Sequence, residues 1–213
     1  MINIQTILAV FLAYLAGSIP TSVWVGRIFY GVDIRRMGSG NAGATNTIRT
    51  LGLKAGIPVL IVDVLKGWFA VYLSHFFHQG LVTPEQMAFF RIILASAAVI
   101  GHVFPVFAGF KGGKGVATLL GVGIALYPLA CLITVGIFAL VFIFTGYVSL
   151  SSITAAVAFP VAEIVILHHQ SSLPLMILAI AVAVFVPVTH HKNIKRLLHG
   201  NEPKFRLKKK EQR

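Results

Sequence analysis

The chain has 213 residues, 57% of them hydrophobic and only 11% charged, against about a quarter charged in a soluble domain, so a water-soluble globular protein is excluded. Its net charge of +12 at pH 7 raises nucleic acid as a partner, but the basic residues gather beside apolar stretches, where anionic lipid and membrane orientation account for them; no nucleic-acid partner is expected. The one cysteine, Cys131, excludes an intrachain disulfide or cysteine metal cluster, and its apolar setting makes it a packing residue. With a mean hydropathy of +0.87, the sequence reads as a single all-α, multi-span membrane domain covering residues 1–213.

The amino terminus has no positive charge ahead of its apolar run, so it lacks the n-region of a cleaved signal peptide, and the first span, 4–28, is expected to remain. Arg27, Arg35 and Arg36 cluster at the end of that span and place it in the cytoplasm by the positive-inside rule, which puts the amino terminus outside. A second span, 56–77, leads to an outer loop at 78–86 without Lys or Arg, and a third, 87–108, returns to Lys111 and Lys114. The apolar stretch 116–167 is too long for one helix and divides at Tyr127-Pro128 and Thr145-Gly146-Tyr147. It yields a short fourth span at 116–126, which is equally readable as a re-entrant half-helix, a fifth at 129–145 and a sixth at 149–167. After a loop at 168–172, a seventh span at 173–188 runs into a basic cytoplasmic tail, 194–213. Apart from Arg27, only Lys66 and Arg91 among the basic residues lie within the spans, and none lies in an outer loop. A six-span topology would put the basic tail outside, against the same rule.

Three polar segments, near 38–54, 109–118 and 189–206, therefore converge on one face. The first, Gly38-Ser39-Gly40-Asn41-Ala42-Gly43-Ala44-Thr45-Asn46 followed by Arg49 and Lys54, combines glycines, hydroxyl and amide donors and positive charge, which suits a bound phosphate. The second, from Gly109 through Lys111, Gly112, Gly113, Lys114 and Gly115 to Thr118, places two lysines just ahead of a helix amino terminus, a second anion site. The third carries His190 and Asn193 three residues apart on one helical side. Two familiar motifs are imitated and rejected. Gly38 to Gly43 matches G-x-G-x-x-G but follows a membrane span rather than a strand, and Gly113-Lys114 is followed by Gly115 where a P-loop needs Ser or Thr.

Asp63 and Lys66 stand three apart in the second span, where each charge costs about 3 kcal/mol at the bilayer centre, so they must pair or face a polar cavity; a buried structural pair is the simpler reading. Arg91 reaches for the outer interface. His102 is open to packing or chemistry, and His75, His78, His168 and His169 are assigned no role. No G-x-S-x-G elbow, H-E-x-x-H helix or carboxylate pair is present, and neither His102 nor His190 has an Asp five residues on. A site rich in anion donors and poor in bases works by positioning and electrostatics and needs an activated substrate.

Taken together, Val32-Asp33-Ile34-Arg35 with the Gly38–Asn46 loop and Arg49; Gly101-His102 and Pro105 with Phe110 to Thr118; Tyr147 to Leu150; and His190 to Glu202 resemble the bacterial acyl-phosphate:glycerol-3-phosphate acyltransferases, the PlsY family, over nearly the whole chain. One departure is His191-Lys192, where the family often has Arg-Glu. The resemblance implies a seven-span enzyme of the bacterial cytoplasmic (inner) membrane that acylates the 1-hydroxyl of glycerol 3-phosphate from acyl phosphate. Its products are lysophosphatidic acid and phosphate, in the first acylation step of phospholipid synthesis. The resemblance also implies no cofactor, no metal, and a functional link to an acyl-phosphate-producing enzyme. By analogy, Ser39, Asn41, Thr45 and Asn46, with the amides of Gly40, Gly43, Gly112 and Gly113 and the charge of Lys111, serve the phosphates. Arg49, Lys114, Ser152, His190 and Asn193 hold glycerol 3-phosphate, with Ser39, Arg49, Lys114, His190 and Asn193 as the catalytic set; Glu202 is structural. Because the segments are poor in bases, the donor's own phosphate is expected to take the hydroxyl proton, with a histidine base as the alternative. The rival class, an organic-phosphate transporter, is expected to show inverted repeats and a midplane site; this chain has no evident repeat. A non-catalytic lipid-binding scaffold would leave the paired anion sites unexplained.

Overall fold

The computed structural model describes residues 4–78, 80–81, 83–167 and 172–205, and every regular element among them is helical. Helix α1 (Ile4–Gly17) bends by 42° into α2 (Thr21–Tyr30), which corrects the uninterrupted span expected at 4–28. Pro20 stands at the head of α2 without an amide hydrogen, so the ladder of α1 stops before it. A 3₁₀ turn (Ile34–Arg36) leads to α3 (Ala44–Leu51), a short helix hidden within what the sequence presents as a polar loop. Then come α4 (Leu53–Tyr72), extended to His75 by a 3₁₀ turn, and α5 (Pro84–Val103), opened by a capping box in which Thr83 Oγ1 and the Gln86 amide nitrogen are 3.2 Å apart.

Helix α6 (Val116–Leu126) has the bounds expected of the fourth span, because Gly115, with φ +81°, and Tyr127-Pro128 are breaks written locally in the chain. Its 11 residues rise about 16 Å, half of a hydrocarbon core of about 30 Å. Helices α7 (Pro128–Thr145) and α8 (Val148–Val161) come next, the latter running on through a π-helical turn at Ala162–Ile166; α9 (Leu173–Thr189) then turns by 62° into α10 (His191–Leu198). Four helical stretches are long and apolar enough to cross a membrane, and up to six if each bent pair counts as one span. The loop expected at 168–172 lies, except for Ser172, outside the described residues, as does the tail from 206 onward.

Two glycine seams hold the bundle. A Cβ on Gly67 of α4 would fall on the Thr118 carbonyl of α6, and one on Gly121 of α6 on the Val64 carbonyl of α4. Gly17 and Gly101 bring α1 and α5 together in the same way, against Ala98 and Tyr14. Around that core the surface is apolar: Leu132, Ile143 and Phe144 of α7 are exposed, as lipid-facing positions are. Inside it, Lys66 Nζ lies 2.8 Å from Asp63 Oδ1 and 3.1 Å from the Ile19 carbonyl, with Thr21 Oγ1 3.4 Å and His102 Nδ1 3.7 Å from the same carboxylate oxygen. Arg91 donates to Ser74 Oγ at 3.2 Å.

Replacing Gly121 by Val should force α6 off α4. Overpacking of this kind costs about 1–3 kcal/mol, or roughly 5 °C in the unfolding midpoint of the detergent-solubilised protein. Leu132→Ala on the lipid-facing surface should leave that midpoint within about 1 °C.

Candidate active site

The first polar segment is shaped from within by one amide. Asn46 is fully buried; its Oδ1 accepts the Ser39 N–H at 2.9 Å and its Nδ2 donates to the carbonyls of Ile34 at 3.1 Å and Met37 at 3.0 Å. Its amide bonds are spent on the loop in this structure, so Asn46, which also lines the cavity, shapes the loop from within. Gly38 and Gly40 turn the chain at φ +56° and +73°, in the region a side chain disfavours. The loop then delivers Gly43 as the cap residue of α3, with no side chain capping the helix, so the first amides of α3 remain open, while Arg49 in the last turn of α3 lines the same cavity. Arg49 Nε is buried with no hydrogen-bond partner, an unsatisfied cation of the kind an anion completes.

Behind the loop, Asp33 accepts from Arg35 at 3.0 and 2.8 Å and from Arg27 at 2.8 Å, and these bonds, Arg35's first, hold its carboxyl far below the ordinary carboxylate range. Arg35 Nη1 in turn donates to the Ala108 carbonyl at 2.7 Å, tying the first segment to the second.

The second segment divides. Gly112 and Gly113 use their N–H groups on the carbonyls of Val103 and His102, each at 3.1 Å, and lie so close to α5 that an added Cβ would strike the His102 carbonyl or ring. Lys111 is exposed, its carbonyl 3.5 Å from Arg35 Nη1. These three residues therefore do not line the main cavity, contrary to expectation. They pack the loop, and in doing so aim Lys114 and the uncapped start of α6 into the cavity.

The third segment meets Lys114. Its Nζ donates to Asn193 Oδ1, Asn193 Nδ2 donates to Glu202 Oε1 at 2.7 Å, and Glu202 also accepts from Ser149 Oγ at 2.6 Å and Arg196 Nε at 2.7 Å. Burial alone would raise the Glu202 carboxyl, but the hydrogen bonds from Ser149, Asn193 and Arg196 outweigh it and hold it low. Residues expected in the basic tail thus fold back: Phe205 N–H reaches the Gly146 carbonyl at 2.8 Å and its ring stands edge-on to Phe142. Sequence reasoning passed over Ser149 and Arg196; Arg196, three residues beyond Asn193, was the available signal.

Ser39, Gly40, Asn41, Gly43, Thr45, Asn46, Arg49, Lys114, Ser152, His190 and Asn193 all line one cavity of ≈ 680 Å³, with Asp63, His102 and Glu202 at its border. Ser152 Oγ donates to the Val148 carbonyl at 2.9 Å, leaving its lone pairs available. His190 Nδ1 lies 2.8 Å from the Val186 carbonyl, which can only accept, so the neutral ring presents Nε2 as an acceptor. Burial, then the Lys114 charge, push His190 down to about 4, against the pull of the Val186 carbonyl and Glu202. Burial likewise lowers Lys114 to about 8, with Glu202 opposing and Arg196 and Arg49 adding repulsion. The polar mouth therefore joins two open helix amino termini to a set of crowded cations, while the deeper walls, among them Leu120, Val135 and Phe159, are apolar. Such a cavity can hold two phosphate groups beside an aliphatic chain.

Comparison with known proteins agrees with this geometry. The chain matches the family model described as glycerol-3-phosphate acyltransferase over residues 7–200. It is 47% identical to a glycerol-3-phosphate acyltransferase of Fusobacterium nucleatum across 92% of this chain and 96% of the relative. It is 42% identical to one of Listeria monocytogenes across 96% and 98%. Its fold resembles the crystal structure of PlsY (YgiH), an integral membrane glycerol 3-phosphate acyltransferase, in the glycerol 3-phosphate form, at 37% identity and a TM-score of 0.81 over 94% of this chain and 96% of that one. The lysophosphatidic acid form of PlsY superposes with a TM-score of 0.80 at 38% identity.

A pH dependence is expected for binding of a phosphate monoester, which stays dianionic above its second pKa near 6. If Lys114 binds the anion as ammonium, affinity should be flat between about 6 and about 8 and fall as pH rises through the upper value, by about tenfold per unit when this charge is required. Lys114→Arg keeps its charge over the whole range and should abolish the break in a calorimetric titration.

Proposed function

The chain belongs to the glycerol-3-phosphate acyltransferase family, and on that premise we propose that it moves a fatty acyl group from acyl phosphate to the 1-hydroxyl of glycerol 3-phosphate, yielding lysophosphatidic acid and phosphate. The observation that carries this reading is the continuity of one cavity, with two helix amino termini, Arg49 and Lys114 at its mouth and apolar walls below. Two phosphate-bearing substrates match two anion sites. The amphipathic product spans mouth and depth. An acyl chain loses about 0.8 kcal/mol per methylene when drawn into water, so the reaction belongs at the membrane surface, where a soluble acceptor meets a donor anchored in lipid.

Ser39, Asn41 and Thr45, with the amides that open α3, hold the phosphate of the donor. Arg49, Lys114, Ser152, His190 and Asn193 hold glycerol 3-phosphate and orient its hydroxyl. The hydroxyl oxygen attacks the acyl carbon, an ester C–O bond forms, and the C–O bond to phosphate breaks. The hydroxyl proton leaves with the departing phosphate. A phosphate dianion, with a pKa near 6, is a stronger base than an imidazole lowered to about 4, as His190 is, which favours the donor's own phosphate over a histidine base. Loop donors stabilise the tetrahedral oxyanion, each worth about 3 to 4 kcal/mol.

The placement in the membrane is part of the proposal. Counting α6 as a short span, seven cross the bacterial inner membrane as a single domain, with the amino terminus outside and the site and carboxyl terminus in the cytoplasm. The distribution of Lys and Arg supports it.

The test is acyl transfer by the purified protein from palmitoyl phosphate, beside palmitoyl-CoA, to labelled glycerol 3-phosphate. Label should enter lysophosphatidic acid with the acyl phosphate alone, and Arg49→Ala should lower the rate by about 10²–10³. Transfer from palmitoyl-CoA overturns the donor assignment. His190→Gln should retain measurable turnover with a raised KM for glycerol 3-phosphate; lost turnover with both substrates still bound would instead make His190 the base.

A further inference from the structure

The apolar lining of the cavity includes a close-packed aromatic pair, Tyr127 and Phe159. From Gly115 at its mouth to Tyr127 at its depth, α6 rises about 18 Å, and both residues line the same space. On the opposite wall, Ser152 lies at the polar end of α8 and Phe159 about 10 Å further along the same helix. Tyr127 and Phe159 meet edge to face with ring centroids 5.2 Å apart. Both are buried, at 3% and 6% exposure, in a core cluster with Ala130, Cys131 and Leu178. Tyr127 OH donates to the Leu175 carbonyl of α9 at 2.7 Å, which pins the ring from a third element. One helical turn before each ring the lining includes small residues. Gly123 is packed so that a Cβ would meet Cys131 Sγ, and Ala155 and Ala156 stand where any larger side chain would project into the space.

Resting on the acyl-transfer reading above, we propose that Tyr127 and Phe159 form the end stop of the acyl-chain channel and set the longest chain the enzyme accepts, with Ala156, one helical turn before Phe159, holding the channel open to that depth. A close-packed, hydrogen-bonded aromatic pair is a hard boundary, because core positions relax only partly around added volume. A chain that fits gains binding with each methylene it buries, and one carbon too many must bend back or leave its end in the mouth. Selectivity then rises with chain length to a limit and falls beyond it.

The experiment is a ladder of saturated acyl phosphates, from decanoyl to eicosanoyl, with kcat/KM measured for each length on the purified protein. Phe159→Ala should move the optimum to chains at least about two carbons longer, gaining about fourfold for each further methylene admitted. Ala156→Leu should move it to shorter chains. Phe159→Leu, which keeps more of the core filled, should give a smaller shift in the same direction as Phe159→Ala, so the inference does not hang on one variant's stability. Opposite shifts at positions 156 and 159 support the end stop, since general destabilisation lowers all lengths alike. An optimum unmoved in every active variant overturns it while leaving the acyl-transfer reading in place. If the wild type uses acyl-CoA instead, the same ladder is run with that donor and decides the end stop independently. A wild type that transfers from neither donor overturns both.

Discussion

A single ion pair inside the helical bundle ties the site's parts together. Asp63 and Lys66, almost wholly buried at 2.8 Å from one another, could not remain charged among apolar helices without full pairing. Lys66 spends a further hydrogen bond on the Ile19 carbonyl, freed by the break between α1 and α2, and Asp63 draws in Thr21 at the start of α2. On its other side stands His102, whose carbonyl receives Gly113 and whose ring leaves no room for a side chain there. Gly113 in turn packs against the Ala42 carbonyl of the first loop. The kinked first span, the second loop and the first loop are thus registered against the same pair, at the border of the cavity.

That arrangement explains how a chain poor in acids and bases can hold a reactive site. Polar groups in hydrocarbon must be satisfied by the protein itself, so the loops spend much of their bonding on one another: Asn46 on Ser39, Ile34 and Met37, and Glu202 on Ser149, Asn193 and Arg196. At the cavity mouth they leave the uncapped starts of α3 and α6 and Arg49 Nε open, beside Lys114, which holds Asn193. Burial, with Arg196 and Arg49 nearby, lowers Lys114, and on the proposed function a bound phosphate would relieve this crowding of cations.

The cavity joins two solvents. Its mouth suits ions and its depth suits hydrocarbon, and the short α6 forms part of both, presenting an amino terminus at one end and Tyr127 at the other. A helix of ordinary span length would have carried the charged mouth and the aromatic floor too far apart for one amphipathic substrate to touch both.

Some of this was legible in the amino acids. Apolar runs divided by Gly and Pro place α6 at 116–126 and α7 close to 128–145, since those breaks act through the local backbone, and glycine with hydroxyl and basic residues marks the two segments that supply Ser39 to Arg49 and Lys114 to the cavity. Other features depend on groups distant in the chain. The break at Ser18–Pro20, where a continuous apolar run suggested one helix, serves Lys66. Nothing in the first loop reveals α3, or that Asn46 faces inward, because its partners at 34 and 37 come within reach only when the chain turns back. The second loop reads as a cradle from Lys111 onward, yet of Lys111 to Lys114 only Lys114 reaches the cavity, since close packing on α5 absorbs Gly112 and Gly113. Glu202 joining Asn193 to Ser149, and Tyr127 meeting Phe159 at the cavity floor, are contacts between separate helices. Periodicity and local chemistry determined which segments are helical and where charge can stand; only packing decided which amides stay open and how deep the cavity runs, because both are set by what lies opposite.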